Sequence, residues 1–132
     1  MARAIAGVVA GVVVWIVIAT IGNLAMRAAW PGYAEVEAAM KFTLEMMLFR
    51  LLVGALSSLG AGWLTARITN QNGGAISALV GILIVAFIPA HYALWEKFPL
   101  WYHAVFFASL AVMTVLGAIL NGRQVQDRIV AG

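Results

Sequence analysis

Apolar positions along the chain fall into four long runs separated by short polar or aromatic breaks. The first run, Ala4 to Met26, is interrupted only by glycines, Thr20 and Asn23. At about 1.5 Å per residue it is long enough to cross roughly 30 Å of hydrocarbon. It has no polar face, as expected for a helix surrounded by lipid and other helices and not for one laid on a soluble core. Turn residues in Trp30-Pro31-Gly32-Tyr33 end this helix, read as about 4–28.

A second helix is predicted over 34–67, with two halves of different character. Glu37, Lys41 and Glu45 recur every fourth residue, a spacing that puts them on one helical face. Beyond Arg50 the same step carries Gly54, Ser58, Gly62 and Ala66, a row of small side chains that lets another helix backbone come close. Thr69 to Gly74 is a short polar hairpin connection, followed by a third helix over 75–94. An aromatic connection from Trp95 to Tyr102 leads into a fourth helix over 101–121, and 122–132 forms a polar tail. The expected fold is all-α: an integral membrane bundle of four transmembrane helices, arranged as two helix hairpins in one domain spanning 1–132.

Composition strengthens this reading. Hydrophobic residues make up 64% of the 132, charged residues only 10%, and the mean hydropathy is +1.00, values of a chain that lies mostly inside a bilayer. The net charge of +3 adds no acidic partner, because the eight Lys and Arg residues are scattered with no run of three. Lipid is the expected partner and nucleic acid is not. Without cysteine there is no disulfide framework and no thiolate metal site. Reading Arg3 and the first run as a cleaved leader fits poorly, since the run is too long and cleavage after Ala28 or Ala29 would put Met26 or Arg27 at position −3.

Four spans place both termini on one side. Basic residues divide evenly, with Arg3, Arg67, Arg123 and Arg128 against Arg27, Lys41, Arg50 and Lys97. Arg3, reinforced by the terminal amine on the first helix, tips the expectation toward cytoplasmic termini in a plasma or bacterial-type inner membrane. A weak parallel repeat of the hairpins is also legible. The prolines of Trp30-Pro31-Gly32-Tyr33 and Phe98-Pro99-Leu100-Trp101-Tyr102 align at an offset of 68 residues, and Leu59-Gly60-Ala61 and Leu116-Gly117-Ala118 at 57. The match rests on a handful of residues common in membrane helices.

Candidate chemistry lies in few places. Gly7 and Gly11 form a GxxxG patch, read as packing within the bundle, with a dimer seam as the alternative. Asn23, Arg27, Glu45, Arg50, His91 and His103 gather at the end bearing the two aromatic connections, a candidate polar cluster. His91 and His103 read as interfacial residues of an aromatic belt. A metal or haem axial pair, or a proton relay, is the functional alternative, and no third ligand stands at fixed spacing. No metal or cofactor is therefore expected. Arg50 is placed about one turn, roughly 6 Å, inside the hydrocarbon, where it snorkels to the headgroups, pairs with Glu45 of a neighbouring helix or protomer, or points into the bundle if Asn23, His91 and Glu45 converge on it.

No catalytic constellation is expected. Ser57, Ser58, Ser77 and Ser109 lie far along their helices from both histidines, and no two aspartates occur in the membrane. Small multidrug-resistance transporters resemble the chain in size and span count, but their essential first-helix glutamate has no counterpart in Ala4 to Met26. The functional expectation is a helix-packing accessory component, as a homo-oligomer or within a larger membrane complex. Its alternative is a small solute or ion transporter or channel with Arg50 and Glu45 at its mouth.

Overall fold

A computed structural model describes residues 1–132. The chain forms five helices and no strand: α1 (Ala2–Ala29), α2 (Tyr33–Ala39), α3 (Leu44–Thr69), α4 (Gly73–Ala93) and α5 (Leu100–Ala131). Four of them, α1, α3, α4 and α5, are long and apolar enough to cross a membrane. The exposed large hydrophobics, among them Ile5, Val9, Val13, Val85 and Val112, are the residues such spans turn toward lipid.

The long second helix of the sequence reading is two helices. Met40 takes a left-handed conformation (φ 53°, ψ 37°) at the C-terminus of α2, and α3 restarts at Thr43, whose hydroxyl accepts from the Met46 amide at 3.3 Å. A Thr side chain satisfying one of the orphan amides of a first turn is an N-cap, and it fixes the break. Glu37, Lys41 and Glu45 therefore do not share a helical face. The tail is also corrected, because α5 runs on to Ala131. Residues 123–131 contain neither proline nor glycine to stop it, and its 32 residues extend about 48 Å, well past a bilayer's apolar thickness.

At the centre of the packing is α3, flanked by α1 and α5, with α4 lying more loosely against all three. The crossing with α5 is closest at two glycines. A Cβ on Gly62 would collide with the Thr114 carbonyl oxygen, and one on Gly117 with the Leu59 carbonyl oxygen. Each glycine stands three residues after the carbonyl that faces the other, so the contact is reciprocal and admits no side chain on either helix. A Cβ on Gly54, higher in the row, would meet the Phe106 ring at 3.4 Å rather than backbone, while Ser58 accepts from Trp15 Nε1 at 3.0 Å. Gly7 and Gly11 pack inside the bundle, their open faces filled by Thr69, Thr65 and Leu79.

Hydroxyls buried in these spans are satisfied by helix carbonyls. Ser57 donates to Val53, Ser58 to Gly54, Thr69 to Thr65 and Thr114 to Leu110 at 2.7–2.8 Å, and Thr65 crosses to Gly7 of α1 at 2.9 Å. This keeps polar atoms in hydrocarbon from standing unpaired.

Tertiary bonds tie one end together. Arg3 Nε donates to the Ile68 carbonyl at 2.6 Å, and Gln71 Nε2 donates to Ala118 O at 3.2 Å and Asn121 Oδ1 at 2.9 Å. The start of α1, the α3–α4 turn and the lower part of α5 thus share an end, opposite α2 and the Leu94 to Pro99 connection. Single cysteines placed at Asn72 and Lys97 are expected to label from opposite faces of a sealed membrane with an impermeant thiol reagent. Labelling from the same face would contradict the four-span arrangement.

Candidate functional site

The polar groups at the α2 end are organised by a turn. Tyr33 N–H donates to Trp30 O at 3.1 Å across Pro31 and Gly32, and Gly32 sits at φ 80°, ψ −4°. Those are the angles of the third residue of a type II turn, which glycine adopts without Cβ strain. The turn folds α2 back along α1, burying Tyr33 completely and bringing Glu37 against Arg27.

Tyr33 and Glu37 are the two centres of the resulting network. Arg27 grips the Glu37 carboxylate with two parallel bonds, Nε to Oε2 at 2.7 Å and Nη2 to Oε1 at 2.8 Å. Asn23 Nδ2 adds a longer bond to Glu37 Oε1 at 3.4 Å, and its Oδ1 accepts from the Tyr33 hydroxyl at 3.5 Å. The same hydroxyl accepts from Arg50 Nη1 at 2.9 Å, and the Arg50 guanidinium lies 4.6 Å from the centre of the Phe42 ring. The chain of contacts runs Arg27, Glu37, Asn23, Tyr33, Arg50. It contains two guanidiniums and one carboxylate, and so carries one uncompensated positive charge.

Hydrogen bonding from Arg27 holds the Glu37 carboxyl below the usual carboxylate range. Partial burial opposes the shift, and Asn23 and the charges of Arg27 and Arg50 assist it. A carboxylate whose folded value is depressed stabilises the fold at pH above its unfolded value, and loses that contribution as pH falls through the folded one. The melting temperature in detergent is therefore expected to fall below about pH 4.5, the ordinary value. In Glu37→Gln that slope should flatten. An unchanged slope would remove Glu37 as its source.

Glu45 stands outside this network. It is exposed in the first turn of α3 and forms no ion pair; the carboxylate of the network is Glu37, which the broken helix brings round to Arg27 and not to Arg50. Arg50 takes the inward course expected of it where polar partners converge, without Glu45 among them. It lies six residues, about 9 Å, along α3 from Leu44. From there it points into the bundle, toward Tyr33 and Phe42, instead of snorkelling to headgroups or meeting Glu45.

Arg50 also lines two cavities. The larger, about 330 Å³, lies among α1, α3, α4 and α5, with Asn23, Arg27, Arg50, Thr20 and Tyr102 as polar lining and Trp15, Val53, Phe87 and Phe106 among the apolar. Thr20, Leu24 and Arg27 at its α1 side are exposed, so the chamber opens there. No carboxylate lines it. The smaller cavity, about 110 Å³, shares Arg50, Phe87, Tyr102 and Phe106 with the first and adds His91, His103, Leu94 and Phe98.

His91 and His103 meet through their Nδ1 atoms at 2.6 Å. One Nδ1 must carry a hydrogen and the other a lone pair. Aromatic rings enclose them, Trp95 stacking on His103 at 4.8 Å and Phe106 lying 4.4 Å from His91. The pair is buried among these rings. Rings in direct contact cannot take opposite faces of a haem. Two nitrogens bound to one tetrahedral ion at 2.0–2.1 Å would stand about 3.3 Å apart, so the observed spacing is that of a hydrogen bond. His103 Nε2 and Arg50 Nε are buried without partners.

Of the six residues of the expected cluster, Asn23, Arg27 and Arg50 share one network, while His91 and His103 form a pair on the far wall of Arg50's smaller cavity. Sequence reasoning missed Tyr33, Glu37 and Tyr102. The signal for the first two was Thr43, a helix-capping residue with an acid, Glu45, in the first turn after it and the apolar run Met46 to Phe49 beyond, which marks a new N-terminus and frees 33–39 to fold back. Comparison with known proteins finds no match to a protein-family model, to a curated protein or to a solved structure.

Proposed function

We propose that the protein binds a small organic anion within the membrane, as a carrier or receptor, with Arg50 as the counter-charge in the larger chamber. The observation that carries this reading is Arg50 itself, a guanidinium held inside a span by a phenol and an aromatic face, in a network one carboxylate short of neutrality. A cation in such surroundings is costly unless its charge is met, and an anion in the adjoining chamber would meet it. Volume and lining set the class of ligand. About 330 Å³ is at the small end of ligand sites, and its aromatic wall suits a monocarboxylate with an apolar body. A purely packing or accessory role would leave the chamber and the excess charge without a use.

Matched pairs of ligands test it. Benzoate and hexanoate are expected to raise the melting temperature of the detergent-solubilised protein in a saturable way, and benzamide and hexanamide are not. Equal effects of acid and amide would contradict the reading, since the two differ chiefly in charge.

A further inference from the structure

We propose that anion binding in the Arg50 chamber is proton-linked, the His91–His103 pair taking up one proton from solution as the anion binds. The inference rests on the anion reading above and assigns a role to the second cavity, which that reading does not use.

Its basis is the set of charged and titratable groups around the pair. α3 presents Arg50, α5 presents Tyr102 beside His103, and α4 presents His91. The Leu94 to Pro99 connection presents the rings of Trp95 and Phe98, with Glu96 and Lys97 exposed. α1 contributes Arg27 to the neighbouring chamber, where it is occupied by Glu37. Of the residues lining the two cavities, only the imidazoles change charge readily near neutral pH.

The 2.6 Å contact defines where a proton would go. In the neutral pair one ring donates through Nδ1 and has a bare Nε2, while the other accepts at Nδ1 and holds its own proton on Nε2. A proton added to the bare Nε2 makes an imidazolium that still donates through Nδ1, so the contact between the rings is kept and becomes charge-assisted. No bond between heavy atoms forms or breaks.

The new charge would face Arg50 across a cavity of about 110 Å³ with no carboxylate in its lining. A positive charge placed there is repelled by Arg50 as long as no anion faces the guanidinium. An anion beside Arg50 cancels one charge and relieves the repulsion. By reciprocity, whatever factor the anion adds to proton affinity the proton adds to anion affinity.

Proton counting with benzoate as the probe tests this on the unmodified protein. In a weakly buffered detergent solution at pH 7, benzoate binding is expected to draw up to one proton per site from solution, and affinity should fall about tenfold per pH unit, up to about a hundredfold from pH 6 to pH 8. The double variant His91→Gln/His103→Gln should still bind benzoate, with no proton uptake and a flat pH profile. Saturable, Arg50-dependent binding without proton uptake would overturn the linkage and leave the anion site standing. Uptake that persists unchanged in that double variant would also overturn it. Absence of benzoate binding at every pH is a different failure, that of the anion reading itself.

Discussion

Gly62→Leu is expected to destabilise the bundle by about 3 kcal/mol or more, the largest stability loss of any single substitution considered for this chain. The cause is backbone against backbone. A Cβ at this position falls on the Thr114 carbonyl oxygen, and a carbonyl in the middle of a helix cannot rotate away as a side-chain tip can. Accepting any side chain requires α5 to move off α3, which also opens the reciprocal contact at Gly117 and loosens the buried hydroxyls beside it. In lipid there is little hydrophobic gain in bringing helices together, so close packing of this kind is a main source of their association. Leu59→Ala, at a half-buried site on the same helix, should cost only about 1 kcal/mol. Measured by reversible unfolding in mixed detergent, comparable small effects of the two would mean that α3 and α5 do not cross at these glycines.

Arg50→Gln is expected to separate binding from stability. Replacing the guanidinium removes a charge-assisted partner for a carboxylate, worth about 2–3 kcal/mol, so benzoate affinity should fall about 30-fold or more. Stability should not fall in parallel. The protein holds Arg50 by one hydrogen bond from Nη1 and an aromatic face, with Nε unpartnered, and a neutral amide in its place removes a charge from hydrocarbon. The variant is predicted to melt at or above the temperature of the parent while binding poorly. Arg50→Lys, which keeps the charge and loses the planar fork, should fall between the two in affinity. A variant that binds benzoate as the parent does would remove Arg50 from the site.

The architecture was legible because membrane spans announce themselves by length and uniform apolarity, and the close approach at Gly62 because small residues at helical spacing have few other uses in such helices. The site was half legible. Asn23, Arg27, Arg50 and the two histidines stand out as polar residues in apolar surroundings, so depth alone brought them to one end. Their partners did not stand out. Tyr33 looked like the last residue of the turn that ends the first helix, and Glu37 like one rung of a charged helical ladder, because four-residue spacing is equally compatible with a continuous helix and with a helix interrupted between Met40 and Thr43. Periodicity reports what a helix would do if it continued. Thr43 as a cap reports that it starts afresh, and that local signal was outweighed by the regular charge pattern around it. The side-by-side imidazoles could not be read at all, since sequence placed both residues near one boundary but gave neither their direction nor their enclosure by Trp95, Phe98 and Phe106.

The central claim is that Arg50 is the charge that holds an anion inside this bundle. The most direct measurement is a crystal structure of the protein soaked with 4-bromobenzoate, with bromine located by anomalous scattering. The account predicts a peak in the chamber of about 330 Å³ among α1, α3, α4 and α5, against Phe87 and Phe106, with the carboxylate directed at the Arg50 guanidinium. It also predicts that the peak disappears in Arg50→Gln crystals of the same form. Bromine found only beside the exposed arginines, Arg3, Arg67, Arg123 and Arg128, with the chamber filled by lipid or detergent, would contradict it.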